Sequence, residues 1–184
     1  MTMNWKSFAL GALAMLLLLV LIGLLVVLTG GYNVAATQRH IPVVGWALDT
    51  TFRNSVQRHG SEIDAPELTP AMVAAGAGEY KAMCAHCHGG VGEGRADWAE
   101  GMRPKPPALA GAAKEWSAAE VFWLVKHGAK MTGMPAFGPS HDDRAIWTIA
   151  AFVKALPEMS AADYAAYGQG DGHSGASGSH SAAQ

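Results

Sequence analysis

An uncharged hydrophobic run lies near the start of the chain, from Phe8 to Leu28, and consists mainly of leucine, valine, isoleucine and alanine. As an α-helix it would be about 31 Å long, enough to cross the hydrocarbon core of a bilayer. A cleaved signal peptide is the alternative, because residues 34–36 are small and offer a cleavage site. Signal peptides, however, have shorter apolar regions of about 7–15 residues. The length therefore predicts a transmembrane anchor over residues 8–30, preceded by a short N-terminal segment, residues 1–7.

A weaker helical pattern follows at residues 42–58, within a juxtamembrane segment spanning residues 31–66. Pro42 suits the first turn of a helix. The positions that recur at helical spacing behind it are Val44, Ala47, Leu48, Thr51, Phe52, Ser55 and Val56. This predicts a short amphipathic helix that lies either on the membrane surface or a partner subunit, or on the domain that follows it. Residues 60–67 (GSEIDAPE) are predicted to form a flexible hinge.

Helix-start signals recur three times in residues 67–160. Thr69 followed by Pro70 is typical of an N-cap and first turn. Ser117 and Glu120 have the spacing of a capping box, and Ser140 is placed to cap a third helix. The predicted helices run from Pro70 to the Cys84 region, from Ser117 to about His127, and from Asp142 to Leu156.

The third of these helices has the clearest apolar stripe, formed by Ile146, Ile149, Ala150 and Val153. No segment shows the alternation typical of a strand. The pattern therefore predicts an all-α domain over residues 67–160. Residues 161–184 are rich in glycine and serine towards their end and are predicted to form a disordered tail.

The two cysteines of the sequence occur in one five-residue motif, Cys84-Ala85-His86-Cys87-His88. A C-x-x-C-H motif is typical of covalent attachment of one c-type haem, with the histidine binding iron from the proximal side. A thioredoxin-like redox pair would need a βαβ context, and a structural zinc site would need further ligands at similar spacing. A plain disulfide would leave His88 unexplained. The motif therefore predicts a covalent haem c held by Cys84, Cys87 and His88.

The charge pattern limits the partners. The formal net charge of the 184 residues is −2, and the acidic and basic side chains of residues 67–160 nearly balance. Nucleic-acid binding would need a clustered basic face, which the sequence lacks. The compact domain is also small, and a covalently bound haem would supply much of its apolar interior.

With these motifs in place, residues 67–160 resemble a class I cytochrome c domain, the small all-helical monohaem fold. The matching segments are the C-x-x-C-H-Gly motif at residues 84–89, the Pro-x-Leu-x-Gly loop at 107–111, the methionine loop at 132–137, and the pair Gly76 and Tyr80. The fold class that follows is all-α, with this domain preceded by one transmembrane helix and a short amphipathic helix.

The resemblance implies a role for each matching residue. Cys84 and Cys87 would form the thioethers and His88 would be the proximal iron ligand. Pro107 and Leu109 would line the haem pocket, with the Pro107 carbonyl oxygen accepting a hydrogen bond from the ring of His88. Thioether ligation is the expected distal pairing. Met134 is favoured as the distal ligand because it lies in a Gly/Pro-containing loop immediately before Pro135, and Met131 is the alternative.

Two functional classes follow from the resemblance. Ligation by histidine and methionine fills both axial positions, which favours an electron carrier over an enzyme. Electrons would pass from a quinol-oxidising complex or a dehydrogenase to a terminal oxidase, through a free carrier or a subunit of such a complex. The alternative is a five-coordinate haem that binds or reduces a small molecule such as peroxide or nitric oxide.

The location follows from the haem motif. The side of a membrane helix that is richer in lysine and arginine normally faces the cytoplasm. Lys6 precedes the apolar run, whereas Arg39, Arg53 and Arg58 follow it, so this rule does not favour a cytoplasmic N-terminus. Haem c, however, is attached on the outer side of bacterial cell membranes. The expected protein is a single-pass inner-membrane protein with a cytoplasmic N-terminus and a periplasmic haem domain.

Overall fold

The computed structural model describes residues 4–167. The α-helices are α1 (Trp5–Thr29), α2 (Pro42–Gly60), α3 (Pro70–Glu79), α4 (Ala85–His88), α5 (Leu109–Ala112), α6 (Ala118–His127), α7 (Asp143–Ala155) and α8 (Ala161–Ala166). A π-helical turn joins α3 to α4 (Tyr80–Cys84), and short 3₁₀ turns occur at Asp97–Gly101, Ala113–Glu115 and Leu156–Glu158. Within the described residues there is no strand, and the predicted all-α class is confirmed.

The chain divides into two compact units, one ending at Arg39 and the other starting at His40. The first unit contains α1, which is long and apolar enough to cross a membrane. Its 25 residues correspond to about 37 Å of helix. Gly30 ends it in the left-handed conformation, with φ of 66°. This helix fits the membrane anchoring predicted from the sequence.

The second unit is built around the crossing of α3 and α7. Gly76 lies directly against α7, so that a Cβ atom there would overlap the backbone carbonyl of Thr148. One turn later Tyr80 is fully buried, and its ring packs on Phe152 with centroids 5.2 Å apart. The glycine allows the two backbones to approach closely, and the aromatic pair fills the space beside the crossing. The pair Gly76 and Tyr80, noted in the resemblance, thus lies at this crossing.

Helix α6 covers a second side of α7. Phe122 stacks on Trp147 with ring centroids 4.2 Å apart. The capping box predicted for this helix is present, since Ser117 and Glu120 each accept a hydrogen bond from the other's backbone N–H. All four predicted stripe residues of α7 are buried: Ile146, Ile149, Ala150 and Val153.

One predicted cap is wrong. Asp142, and not Ser140, caps α7, because its side chain accepts a hydrogen bond from the N–H of Ala145 at 2.8 Å. The Ser140 hydroxyl instead donates to the carbonyl oxygen of Phe137. A carboxylate at this position also interacts favourably with the positive end of the helix dipole.

Helix α2 is part of the second unit and packs on α6. Val56 is 1% exposed. Phe52 meets Trp116 edge to face with centroids 5.9 Å apart, and a Cβ at Gly60 would lie 2.6 Å from Cγ of Glu120. Of the two placements left open by the sequence, the structure shows the helix packed on its own domain through its C-terminal half.

The hinge predicted at residues 60–67 does not separate α2 from the haem domain. Gly60 is buried at its first position, and Ile63 packs against the core of the domain. The first half of the segment is therefore held by packing, and a hinge over the exposed residues 64–67 stays a prediction.

The tail predicted for residues 161–184 begins later than expected. Residues 161–166 form α8, whose Tyr164 is 1% exposed. Lys81, in the π-helical turn Tyr80–Cys84, connects this turn to α8. Its ammonium donates hydrogen bonds to the carbonyl oxygens of Tyr164, at 2.8 Å, and of Tyr167. The rest of the predicted tail, residues 168–184, lies outside the described residues.

Candidate haem site

The two cysteines and His88 lie on a continuous helical path. Cys84 ends the π-helical turn, and Cys87 and His88 lie in α4 immediately after it. Gly89 ends the path with φ of 75°, a conformation that favours glycine. The sequence predicted a helix up to Cys84, but nothing in it indicated the wider turn. Such turns are frequent at functional sites.

Tyr80 fixes the end of this path. Its buried hydroxyl donates a hydrogen bond of 2.7 Å to the carbonyl oxygen of Gly89. Burial raises the pKa of Tyr80, so that the hydroxyl keeps its proton and remains a donor. The sequence marked Tyr80 only as part of the matching pair with Gly76, and nothing in it indicated this bond.

Both thiols are free and partly buried. Burial, with smaller contributions from Cys87 and Glu79, raises the pKa of Cys84 to about 12. Reactive thiols of thioredoxin-like motifs have a lowered pKa instead. The surroundings of Cys84 therefore do not favour the redox-pair interpretation of the motif.

His88 is oriented by the loop that follows it in the chain. Its Nδ1 lies 2.8 Å from the carbonyl oxygen of Pro107. Since a carbonyl oxygen can only accept, Nδ1 carries the proton and donates. Nε2 then keeps the lone pair with which a histidine binds a metal. The structure thus contains the hydrogen bond that the resemblance implied.

The same loop is held by Arg95, which the sequence analysis missed. The Arg95 guanidinium donates to the carbonyl oxygen of Pro106 and lies 3.2 Å from a carboxylate oxygen of Glu100. Burial lowers the pKa of His88 and the Arg95 charge acts in the same direction, while the bond to Pro107 opposes them. No local sequence pattern marks Arg95, because its partner loop begins some ten residues later.

The two candidate methionines differ sharply in their surroundings. Met131 is 94% exposed and has φ of 59°, whereas Met134 packs against the hydrophobic core of the domain. The N–H of Met134 donates to Oγ1 of Thr132 at 3.0 Å, and its carbonyl oxygen accepts from the N–H of Ala129 at 3.2 Å. Backbone contacts on both sides therefore fix Met134.

Gly128 allows this loop to close on the end of α6. It has φ of 66°, and a Cβ there would lie within 2.8 Å of the backbone at Met134, Pro135 and Ala136. Two further backbone hydrogen bonds hold the far end of the loop on α6. The N–H of Phe137 donates to the carbonyl oxygen of Val125 at 3.1 Å, and the N–H of Gly138 donates to that of Lys126 at 2.9 Å. The role of Gly128 in holding the loop was not predicted from the sequence.

Leu109 and Met102 also lie near these loops. Leu109 begins α5 and packs against the core. The terminal methyl group of Met102 lies against Gly133, where a Cβ would overlap it. Gly133 therefore lets Met102 approach the loop that carries Met134.

The donor set suits haem c. It combines two partly buried thiols three residues apart, an imidazole with its Nδ1 already engaged, and a thioether held on a fixed loop. Among residues 4–167, no group of three or more His, Cys, Asp or Glu side chains could hold a bare metal ion. The two thiols and the oriented imidazole of His88 are the groups that a covalently attached haem requires.

An all-helical domain with a C-x-x-C-H motif at a helix end has the architecture of a c-type cytochrome. The family model for subunit III of the cbb3-type cytochrome c oxidase matches residues 71–153, slightly less than half of the chain. The match supports a monohaem c-type cytochrome domain over these residues, and such a domain implies electron transfer by a haem c protein. A search of curated proteins gave no match.

Proposed function

We propose that this protein is a membrane-tethered monohaem cytochrome c that carries single electrons between redox complexes of the same membrane. Cys84 and Cys87 hold the haem, His88 is the proximal iron ligand and Met134 is the distal ligand. Pro107 and Leu109 line the pocket. Haem bound in this way would supply a one-electron couple, and the protein residues fix its orientation and exclude other ligands.

The observation that carries this proposal is the fixed position of Met134. A distal methionine blocks substrates only if its loop holds it in place. Here Gly128 and four backbone hydrogen bonds hold residues 129–138 on α6 and on themselves. Met131 lies on the same loop but extends into solvent. The loop therefore supports Met134 as the sixth ligand and electron transfer as the function.

The hydrogen bond of His88 supports the same function. The carbonyl oxygen of Pro107 can only accept, so the hydrogen bond selects one tautomer of His88. Because the ring of Pro107 restricts the backbone that presents this carbonyl, the bond also sets one orientation of the imidazole before any iron is bound. A preoriented ligand reorganises little when the iron changes charge. Small reorganisation favours fast electron transfer.

The partners follow from the matched family and from α1. The family name refers to a subunit of a terminal oxidase, and α1 would keep the domain in the membrane that contains such complexes. The donor would be a quinol-oxidising complex or a dehydrogenase, and the acceptor a terminal oxidase. The protein would act as a carrier or as a fixed subunit, in a bacterial inner membrane, with the N-terminus cytoplasmic and the haem periplasmic.

Carbon monoxide distinguishes this proposal from a five-coordinate haem that acts on a small molecule. The full chain would be purified in detergent, reduced, and exposed to carbon monoxide while its absorption spectrum is recorded. A haem with both axial positions filled should show no change, whereas rapid formation of a carbon monoxide adduct would overturn the proposal. Cys84→Ser with Cys87→Ser is the control for attachment, and should remove haem staining after denaturing electrophoresis.

Transfer itself is tested in membranes. With the protein expressed in a strain that lacks other c-type carriers, quinol should reduce the haem and oxygen should reoxidise it within the turnover time of respiration. If the haem stays in one redox state while oxygen uptake continues, the protein is not on the electron path.

A further inference from the structure

The first two turns of α2 are apolar on every side. From Ile41 to Leu48 the sequence is IPVVGWAL, and the first charged side chain after it is Asp49. Trp46 is 68% exposed, Val43 63% and Leu48 53%. Successive residues of a helix are rotated by about 100°, so Val43 and Trp46 lie on one side and Leu48 lies on nearly the opposite side. They do not form the single stripe of an ordinary surface helix.

The second half of the same helix is fixed to the domain. Val56 is buried, Phe52 packs on Trp116, and Arg53 pairs with Glu115 at 3.2 Å. Near the end of α2, His59 stacks on Trp123 with centroids 5.1 Å apart. Because these contacts begin near Phe52, residues 41–48 extend from the packed part as about 12 Å of apolar helix.

Val44 is half-buried, but Ile41, Val43, Trp46 and Leu48 expose apolar surface on more than one side of the helix end. A protein groove would cover one side and leave the others in water. A bilayer surrounds whatever enters it, and a tryptophan such as Trp46 is typical of its interface. The apolar length is too short to span a membrane, which takes about 20 residues. About 12 Å of helix would reach no deeper than one leaflet, since the whole hydrocarbon core is about 30 Å thick.

The chain also brings this helix end within reach of a membrane. Twelve residues separate Thr29, the end of α1, from Pro42, the start of α2. Fully extended, they reach at most about 43 Å. The region is thus continuous with the segment that fits a membrane anchor, and no long linker intervenes.

We propose that residues 41–48 insert into the interface of the bilayer and, through the packed half of α2, hold the haem domain against the membrane surface. This rests on the membrane anchoring of α1 and not on the electron-transfer function. The haem domain would then be held at the surface by two elements and would not move freely on a tether.

Spin labels test whether residues 41–48 lie in the bilayer interface. The sample is the full-length, haem-loaded protein, with one copy in each lipid nanodisc of phosphatidylethanolamine and phosphatidylglycerol. Val43→Cys and Leu48→Cys place labels on different sides of the apolar end. Gln57→Cys is the matched control on the packed half, where the side chain is exposed and polar. An unchanged haem spectrum in each variant shows that the domain is folded and loaded, independently of where α2 lies.

The measurement compares collisions of each label with oxygen, which partitions into lipid, and with a water-soluble nickel complex. The ratio of oxygen to nickel accessibility should be several-fold higher at both 43 and 48 than at 57. Equal ratios at the three positions would place the helix end in water and overturn the proposal. Low accessibility to both reagents at 43 or 48 would place it against protein and overturn it equally.

Discussion

Nδ1 of His88 and the carbonyl oxygen of Pro107 lie 2.8 Å apart, across a chain separation of 19 residues. The bond joins α4 to the loop before α5. Because it engages Nδ1, it leaves Nε2 as the ring nitrogen that could bind iron. Hydrogen bonding of this kind makes the imidazole a more basic ligand. A more basic ligand stabilises oxidised iron, so the bond should lower the reduction potential.

Replacing Pro107 by glycine should raise that potential. Glycine keeps the carbonyl but frees the backbone that presents it, which weakens the bond. A hydrogen bond contributes about 0.5–1.5 kcal/mol, and about 59 mV corresponds to a tenfold change for one electron. The expected rise is therefore at most about 20–65 mV, measured by redox titration. Pro66→Gly, at an exposed proline before α3, should leave the potential unchanged; an equal rise in both variants would contradict the role of the bond.

Gly76→Ala should destabilise the domain, because its Cβ would overlap the backbone of Thr148 in the α3–α7 crossing. Forcing a group into a packed interface costs about 1–3 kcal/mol. Gly78→Ala is the matched control on the same helix, since a Cβ there meets nothing within 4 Å. It should stabilise the domain by about 0.5–1 kcal/mol through helix propensity. Chemical denaturation of the haem-loaded protein measures both, and equal effects of the two substitutions would argue against a close crossing.

Val56→Ala should lower the free energy of unfolding by about 2 kcal/mol, since it removes two buried methyl groups at about 0.8 kcal/mol each and leaves a small cavity. Gln57→Ala, next to it on the exposed side of α2, should change the value by less than about 0.5 kcal/mol. If Val56→Ala proved equally neutral, α2 would not be packed on α6 in solution.

The sequence predicted those features of the fold whose cause is local. Thr69, Ser117 and Glu120 act as caps within three residues of their partners. The stripe on α7 is likewise a property of one helix. Contacts between distant segments were not predictable in this way. The placement of α2 depends on Phe52 and Gly60 meeting Trp116 and Glu120, some sixty residues away, and the same periodicity would also suit a membrane surface.

The same distinction applies to the candidate site. The C-x-x-C-H motif is local and predicts the attachment residues directly. The roles of Arg95, Gly128 and the Lys81 contact with α8 arise only when loops come together. Tyr164 lies in the tail that was predicted from glycine and serine content, yet its buried ring packs α8 on the domain.

The most direct test of the account is the absorption spectrum of oxidised Met134→Ala beside that of Met131→Ala, both in the full-length, haem-loaded protein. If Met134 is the distal ligand, its removal should abolish the sulfur-to-iron charge-transfer band and lower the reduction potential. Met131→Ala should retain the band, because that side chain is 94% exposed. A band that persists without Met134 and disappears without Met131 would contradict the assignment on which the proposed function rests.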